Sequence, residues 1–251
     1  MTKNIKIELL KPASSRIDSD QISAIASCSP PSKRVGMFLR KNGSIIYHME
    51  EKLTSLSFSI LSLYRTDYTT TLHARAMAKK LSVSHVTLLP HLKRLEKARI
   101  LLSRKVGKNK EYHLNPNNSL TKHYLTITEE LATINYLEKN FLIKKITDQL
   151  SSLDLVGPLL LFGSYTKDYS NEESDIDIFH LGALKQDQQV KIKKSGKTYG
   201  KEINIKTVGI ENFNNGLKMG DILIKEILGN HIILQNPGLF INLVWRNYSE
   251  R

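Results

Sequence analysis

Apolar residues recur at helical spacing in three successive segments of the first half of the chain and predict three helices. The first covers residues 54–66 and the second runs from Leu72 to Leu81. Ser82 to Ser84 form a tight turn, in which Ser84 is a good N-cap for a third helix over residues 85–97. The side chains expected to face inward from this third helix are Val86, Leu89, Leu92 and Leu95.

Two short β-type runs follow the third helix and predict a hairpin. Residues 101–106 are the first run and residues 111–114 are the second, with the polar, glycine-containing turn 107–110 between them. A glycine in a short polar connection between two such runs is typical of an antiparallel hairpin.

A single apolar stripe over residues 119–150 predicts one long helix. Its members follow one another at steps of three or four residues, which places them on one helix face: Leu120, Tyr124, Ile127, Leu131, Ile134, Leu137 and Phe141. Packing of this stripe within the chain is the preferred interpretation, and a dimer seam is the alternative.

The densest candidate chemistry follows the apolar run Leu159–Phe162. Gly163 and Ser164 come directly after it, and Asp175-Ile176-Asp177 follow after ten further residues. In a strand, residues two apart project from the same face, so both aspartates are expected on one side while the isoleucines enter a core. Adjacent carboxylates are tolerated best with cations between them, which favours a two-Mg²⁺ site for phosphoryl or nucleotidyl transfer.

Charge separates the two halves of the 251-residue chain, which is long enough for two domains. Residues 1–118 hold 21 Lys+Arg against 8 Asp+Glu, whereas residues 119–251 hold 16 of each. The whole net charge of +13 therefore lies in the first half, which suggests that this half binds a polyanion. A single cysteine, Cys28, excludes an internal disulfide framework, and the absence of a long apolar run leads us to expect a cytoplasmic protein without membrane contact.

The apolar run, Gly163-Ser164, the gap and Ser174-Asp175-Ile176-Asp177 together resemble the minimal nucleotidyltransferases of the DNA polymerase β superfamily. The resemblance covers roughly residues 155–240 and implies a nucleoside triphosphate substrate with two Mg²⁺ ions held by Asp175 and Asp177. It also implies that Gly163 and Ser164 bind the triphosphate. Lys167 and Ser174 occupy the family's basic and serine positions.

The family's third carboxylate has no direct counterpart in this chain. The matching strand, residues 201–206, carries Asn204 where the family has aspartate, and Glu202 lies two residues earlier on the same face. Both residues are candidates for the third position. Asparagine supplies only a neutral carbonyl, which binds Mg²⁺ more weakly and cannot take a proton.

The helices and hairpin over residues 52–116 resemble the winged helix-turn-helix of archaeal and bacterial transcription regulators. The pattern residues include Ala78, Val83, Ser84, Thr87 and Tyr112. The resemblance implies binding of double-stranded DNA, with the start of the third helix on base edges and basic side chains on phosphates. The candidate contacts are Ser84, His85, Thr87, Leu88, His91, Lys93, Arg94, Lys97, Arg104, Lys105, Lys108 and Lys110. Pro90 removes a backbone donor inside this helix and is expected to redirect or shorten it.

These inferences predict an α/β (α+β) chain with a winged helix-turn-helix followed by a small transferase domain built on a short mixed sheet. The predicted divisions are an unassigned extension (1–50), a DNA-binding domain (51–116), a linker helix (117–152) and a nucleotidyltransferase domain (153–251). The preferred function is a DNA-bound transferase that moves a nucleoside monophosphate to a hydroxyl of a protein or nucleic acid. The alternatives are a regulator with a degenerate or nucleotide-sensing transferase domain, or an antitoxin with a toxin partner. A homodimer is a further possibility.

Overall fold

Residues 53–167 and 174–249 are described by the structure, a computed structural model. The extension predicted over residues 1–50 lies outside the described residues. The described part mixes helices with two small sheets, in agreement with the predicted α/β class.

Three helices begin the described chain, as predicted: α1 (Ser55–Ser62), α2 (Ala74–Lys80) and α3 (His85–Lys97). The prediction started the second helix too early, because Leu72–His73 form a short strand, β1, before it. Pro90 does not break α3. Its missing N–H leaves the carbonyl of Val86 without a helical donor, and Val86 lies on the solvent-exposed side of the helix.

The buried face of α3 agrees with the predicted face at Leu92 and Leu95 and differs from it at Val86 and Leu88. Leu88, Leu92 and Leu95 are fully buried, whereas Val86 is 75% exposed. Leu88, Leu92 and Leu95 lie four and three residues apart and form one stripe, and Val86 lies about 200° around the helix from Leu88. Leu88 therefore belongs to the core, and its predicted contact with a base edge is wrong.

The predicted hairpin is confirmed as β2 (Leu101–Val106) paired antiparallel with β3 (Asn109–Leu114). Its turn is shorter than predicted, because Val106 pairs with Asn109 and only Gly107 and Lys108 remain between the strands. β1 adds to the other edge of β3, which gives a three-stranded sheet in the order β1-β3-β2.

The predicted long helix is two helices, α4 (Ser119–Lys139) and α5 (Phe141–Leu150), separated at Asn140. The buried face of α4 carries Thr121, Leu125, Thr128, Glu129 and Thr133 and packs against α1. Two members of the expected apolar stripe, Tyr124 and Leu137, pack against the apolar clusters as predicted. The other five members are between 36% and 70% exposed: Leu120, Ile127, Leu131, Ile134 and Phe141. Intrachain packing of these five residues is therefore wrong.

A mixed four-stranded sheet forms the second half, in the order β6-β5-β4-β7. β5 (Ile176–Leu181) is central, antiparallel to β4 (Leu159–Phe162) and parallel to β6 (Ile203–Val208). The edge strand β7 (Ile232–Gln235) pairs antiparallel with β4. The remaining helices are α6 (Gln186–Lys197), α7 (Ile210–Met219), α8 (Ile222–Gly229) and α9 (Pro237–Ser249).

The two faces of this sheet enter different apolar clusters. Ile176 and Ile178 face a cluster that includes residues of α5 and α6. Phe179 and Leu181, on the other face, belong to a cluster that extends through α7, α8 and α9 to the core beneath α1 and α3. Residues 52–251 group as one compact unit, and the divisions predicted within it stay predictions. No helix within residues 53–167 and 174–249 is long and apolar enough to span a bilayer.

Candidate functional site

The two aspartates lie at the start of the central strand β5. Ile176 and Ile178 are buried, as the two-residue alternation predicts, and Asp177 projects from the opposite face of the strand. Asp175 and Asp177 share this side, because the side-chain amide of Asn204 lies within hydrogen-bond distance of both carboxylates. The strand therefore holds two carboxylates together at one end of the sheet.

Gly163, at the end of the neighbouring strand β4, lies against the side chain of Asp177. Phe162 pairs with Asp177, and Gly163 follows with a φ of +75° at the start of a short 3₁₀ turn, Gly163–Thr166. A Cβ built on Gly163 would lie 2.4 Å from Oδ2 of Asp177. Only glycine allows this backbone conformation and this close approach together.

Asn204 stands where the third carboxylate was sought. The parallel register pairs Asn204 with Asp177, and its Nδ2 donates to Oδ2 of Asp175 at 3.3 Å and to Oδ1 of Asp177 at 3.5 Å. The amide nitrogen bridges the two carboxylates and offsets part of their mutual repulsion. A third aspartate at this position would add to that repulsion.

The surroundings of Asp177 disfavour the charged form of its carboxyl group. Burial raises the pKa of its carboxyl, and the nearby charges of Asp175 and Glu226 raise it further. The hydrogen bond from Asn204 and the positive charge of Lys206 oppose this shift. A bound cation would therefore favour the charged form of Asp177.

Lys167 has a partner that sequence reasoning missed. Its Nζ lies 2.7 Å from Oε1 of Glu226 on α8, which brings a further carboxylate to the rim of the site. Fifty-nine residues separate the two, and no local pattern marks Glu226 as a site residue. The lysine assigned to phosphate is paired with an acid in this structure.

The other predicted site residues lie around the aspartates with less specific contacts. The backbone carbonyls of Ser164, Ser174 and Glu202 accept hydrogen bonds from Lys167 N, Tyr165 Oη and Ile176 N, respectively. The Glu202 side chain is exposed, and within the described residues no hydrogen bond or ion pair joins it to either aspartate. Its role as a third ligand stays a prediction.

The donor atoms suit a hard divalent cation, although they are few. The two carboxylates supply oxygen ligands, which Mg²⁺ prefers, and Asn204 would add its carbonyl oxygen once its amide turned away from them. Across residues 53–167 and 174–249, no three His, Cys, Asp or Glu side chains cluster as metal ligands. These residues fit an ion that takes its remaining ligands from water and substrate phosphates.

This part of the chain is similar to a known protein family. Residues 143–232 match the family model of the nucleotidyltransferase domain. The match includes β4, the Gly163 turn, β5 and β6, and it begins in α5, inside the segment predicted as a linker. A search of curated proteins found no match. Most of the sheet that carries the aspartates therefore lies in a segment that is similar to the nucleotidyltransferase domain.

The predicted DNA contacts lie outside the matched residues 143–232, on α3 and the hairpin. Ser84 caps α3, and its Oγ accepts a hydrogen bond from Thr87 N at 3.0 Å. His85 and Thr87 are exposed beside it. The His91 ring lies against α1 instead, because its Nδ1 is 2.9 Å from Oγ1 of Thr54.

Acidic partners occupy part of the basic surface. Arg104 pairs with Glu111 at 2.9 Å, and Lys110 pairs with Glu96 at 2.7 Å. Lys93, Lys105 and Lys108 are exposed and have no acidic partner among the described residues. Arg94 is half-buried, and Lys97 is exposed at the end of α3.

Proposed function

We propose that this protein is a Mg²⁺-dependent nucleotidyltransferase that contacts duplex DNA through its basic half and transfers a nucleoside monophosphate to a hydroxyl group. The observation that carries the proposal is the contact between Gly163 and Asp177 beside Asp175, within the range that matches the nucleotidyltransferase domain. The acceptor class, a protein or a nucleic acid, follows from the family resemblance alone.

Each proposed role follows from the position of the side chain. Gly163 and Ser164 lie in the turn whose backbone would hold the triphosphate beside Asp177. Asp175 and Asp177 would hold the cation, with the carbonyl oxygen of Asn204 turned toward it. Lys167 would leave Glu226 and neutralise phosphate charge when the substrate binds, because an exposed ion pair exchanges partners at little cost.

Mg²⁺ bound by the aspartates would supply Lewis-acid stabilisation of the triphosphate and of the leaving pyrophosphate. The chain itself orients the two carboxylates, because both sit on a strand whose other face is buried. Without a cation, the bridging amide of Asn204 offsets part of the repulsion between the two carboxylates. A bound cation would take over this role.

Three features of the first half support the proposed duplex contact. The α2–α3 pair and the hairpin follow one another in the order of a winged helix-turn-helix, and the N-terminus of α3 presents Ser84, His85 and Thr87 to solvent. The free amines of Lys105 and Lys108 lie at the hairpin tip. Positive side chains without an acidic partner are the ones best able to neutralise phosphates.

The decisive experiment measures transfer of label from each radiolabelled nucleoside triphosphate to cell extract, with and without Mg²⁺. The variant Asp175→Asn/Asp177→Asn keeps side-chain shape and removes both charges. We expect label transfer to fall by at least about 10³-fold, a loss of roughly 4 kcal/mol in transition-state stabilisation. Undiminished transfer by the folded double variant would refute the assignment of these residues.

A second candidate function is a regulator that binds nucleotide without transferring it. The bridging amide of Asn204 favours this alternative, since it places a hydrogen-bond donor where the family has a carboxylate. The same labelled nucleotides separate the two, because a regulator would retain nucleotide in equilibrium dialysis and leave every acceptor unlabelled. A toxin partner, as in an antitoxin, stays a prediction that co-purification would test.

Homodimerisation is proposed from the exposed stripe on α4. Leu120, Ile127 and Ile134 are exposed and recur every seven residues along α4, a spacing that places them on one face, as along a seam between two paired helices. We expect the purified protein to sediment as a dimer and Ile127→Glu/Ile134→Glu to sediment as a monomer. A wild-type chain that sediments as a monomer at tens of micromolar would remove this proposal.

A further inference from the structure

A cavity of about 370 Å³ lies between the turn after α1 and the helices α7, α8 and α9. Residues 65–69 form one wall, and Leu217, Ile224, Leu228 and Val244 supply apolar side chains on the others. The cavity is within the size range of small-molecule sites, and a mostly apolar lining with few polar groups is typical of such sites. None of the residues assigned to transfer or to DNA lines it.

Tyr68 is the first polar group of this cavity without a partner. The side chain is 5% exposed, and its ring packs against Trp245 and Tyr248 with centroids 5.9 and 6.0 Å away. Its hydroxyl makes no hydrogen bond to any described residue, whereas the hydroxyl of Tyr248 donates to Leu114 O at 3.1 Å. Burial raises the pKa of Tyr68, so this hydroxyl stays a donor across the physiological range.

Lys225 is the second such group. It lines the cavity from α8, and its Nζ lies so close to Gly220 that a Cβ there would be 2.7 Å away. Within the described part of the chain it has no acidic partner, in contrast to Lys167. An unpaired amine beside an apolar lining attracts an anionic group.

The remaining charged groups of the lining are already engaged. Arg65 donates from Nη2 to Glu129 Oε2 at 2.6 Å and to the carbonyl of His231 at 3.2 Å, although its buried Nε has no partner. Asp67 accepts hydrogen bonds from Thr69 and Thr70. Among these charged groups and Tyr68, the unmet hydrogen-bonding capacity is therefore on the donor side, and a donor without a protein partner calls for a ligand or water.

We propose that this cavity binds a small amphiphilic anion, with its apolar body against Leu217, Ile224 and Leu228 and its anionic group at Lys225 and Tyr68. An occupant would touch the segment that leads into β1 and α2 on one side and α8, which carries Glu226, on the other. The site therefore lies between the basic half and the nucleotidyltransferase domain and is separate from both functional surfaces.

Two fluorescent probes of nearly equal shape test the proposal on the full-length protein. Anilinonaphthalene sulfonate (ANS) carries an anionic group on an apolar body, and N-phenyl-naphthylamine (NPN) lacks the sulfonate. We expect ANS to bind saturably and more tightly than NPN. Lys225→Met should weaken ANS by about tenfold and change NPN by less than about twofold, because only ANS loses an ionic contact.

Matched variants test whether the two probes bind in this cavity. Lys193→Met, an exposed lysine of α6 away from the cavity, should leave both affinities unchanged. Leu228→Trp should fill the cavity and abolish both signals. Should Leu228→Trp fail to fold, Lys225→Met still decides the proposal, because Lys225 is exposed and its stem is conserved in size. ANS binding that ignores Lys225→Met, or that Mg-ATP displaces competitively, would overturn it.

Discussion

The aspartate site and the basic surface differ in how tightly the fold determines them. Asp175 and Asp177 are fixed by strand register, by a buried opposite face and by a glycine within contact distance. The basic side chains lie on an exposed helix end and hairpin, where several are paired with acids and several are free. The aspartate site depends on a few specific contacts, whereas the basic surface spreads its charge over many exposed side chains.

This difference sets the size of the effects that single substitutions can have. Substitutions beside Asp177 act on a side chain that is held by strand register and by the contact with Gly163, so their effects are expected to be large and local. Changes on the hairpin each remove one exposed charge, so they are expected to be small and additive. The chain offers matched residues in the two regions that test this directly.

The largest expected effect comes from a pair of glycines. Gly163 and Gly107 have similar positive φ values, +75° and +59°, but a Cβ on Gly107 meets nothing within 4 Å. Gly163→Ala adds a clash with Asp177 to the backbone strain that both alanines share. We expect Gly163→Ala to lower nucleotide transfer by roughly 10²-fold or more, because small displacements of catalytic groups have effects of that order.

Gly107→Ala is the control and should retain transfer activity. Both variants should lose on the order of 1–2 kcal/mol of folding free energy from strain, measured by urea unfolding. Equal transfer activity in the two variants would show that the contact with Asp177 does not matter.

Local patterns predicted how the two aspartates lie on β5, because the information needed is local. Alternation along β5 fixes which side the aspartates occupy, and the buried isoleucines confirm it. The order of α1, α2, α3 and the hairpin followed from periodicity in the same way. Glu226 was missed, because its contact with Lys167 joins two elements that only the tertiary fold brings together.

The face of α4 shows where local patterns fail. Its apolar stripe was expected inside, yet the buried face holds threonines and Glu129. Two of those polar groups have distant partners: Thr133 donates to Ile233 O at 3.0 Å, and Glu129 binds Arg65. Periodicity ranks faces by hydrophobicity and contains no information on partners a hundred residues away.

A smaller effect is expected from restoring the missing carboxylate. Asn204→Asp replaces the bridging amide by a third acid in the same register position. We expect about tenfold tighter Mn²⁺ binding, measured by calorimetry without nucleotide, because each added carboxylate increases attraction for the ion. Weaker or unchanged Mn²⁺ binding would mean that Asn204 does not face the ion. Asn214→Asp on α7, away from the aspartates, is the control for added charge.

The pH dependence of stability should also originate in the sheet. His180 on β5 is fully buried, and burial lowers its pKa against the smaller opposing effect of the Gly182 backbone. A lowered folded-state pKa means that the contribution of neutral His180 is present above the unfolded value of about 6.5 and is lost as pH falls below it. We expect the melting temperature to drop between pH 7.5 and 5.5, and to drop less in His180→Leu. His85→Leu, at the exposed start of α3, should keep the wild-type profile.

The smallest single-site effects are expected at the hairpin tip. Lys105→Ala and Lys108→Ala each remove one unpaired amine, and each proposed phosphate contact contributes about 0.9 to the slope of log affinity against log salt. The double variant should therefore weaken binding to any duplex by a similar factor and flatten that slope by nearly two. Arg104→Ala, whose charge is paired with Glu111, should change the slope less. If the Lys105, Lys108 and Arg104 variants all keep the wild-type slope of log affinity against log salt, this hairpin does not contact phosphates. The basic half would then bind something other than duplex DNA.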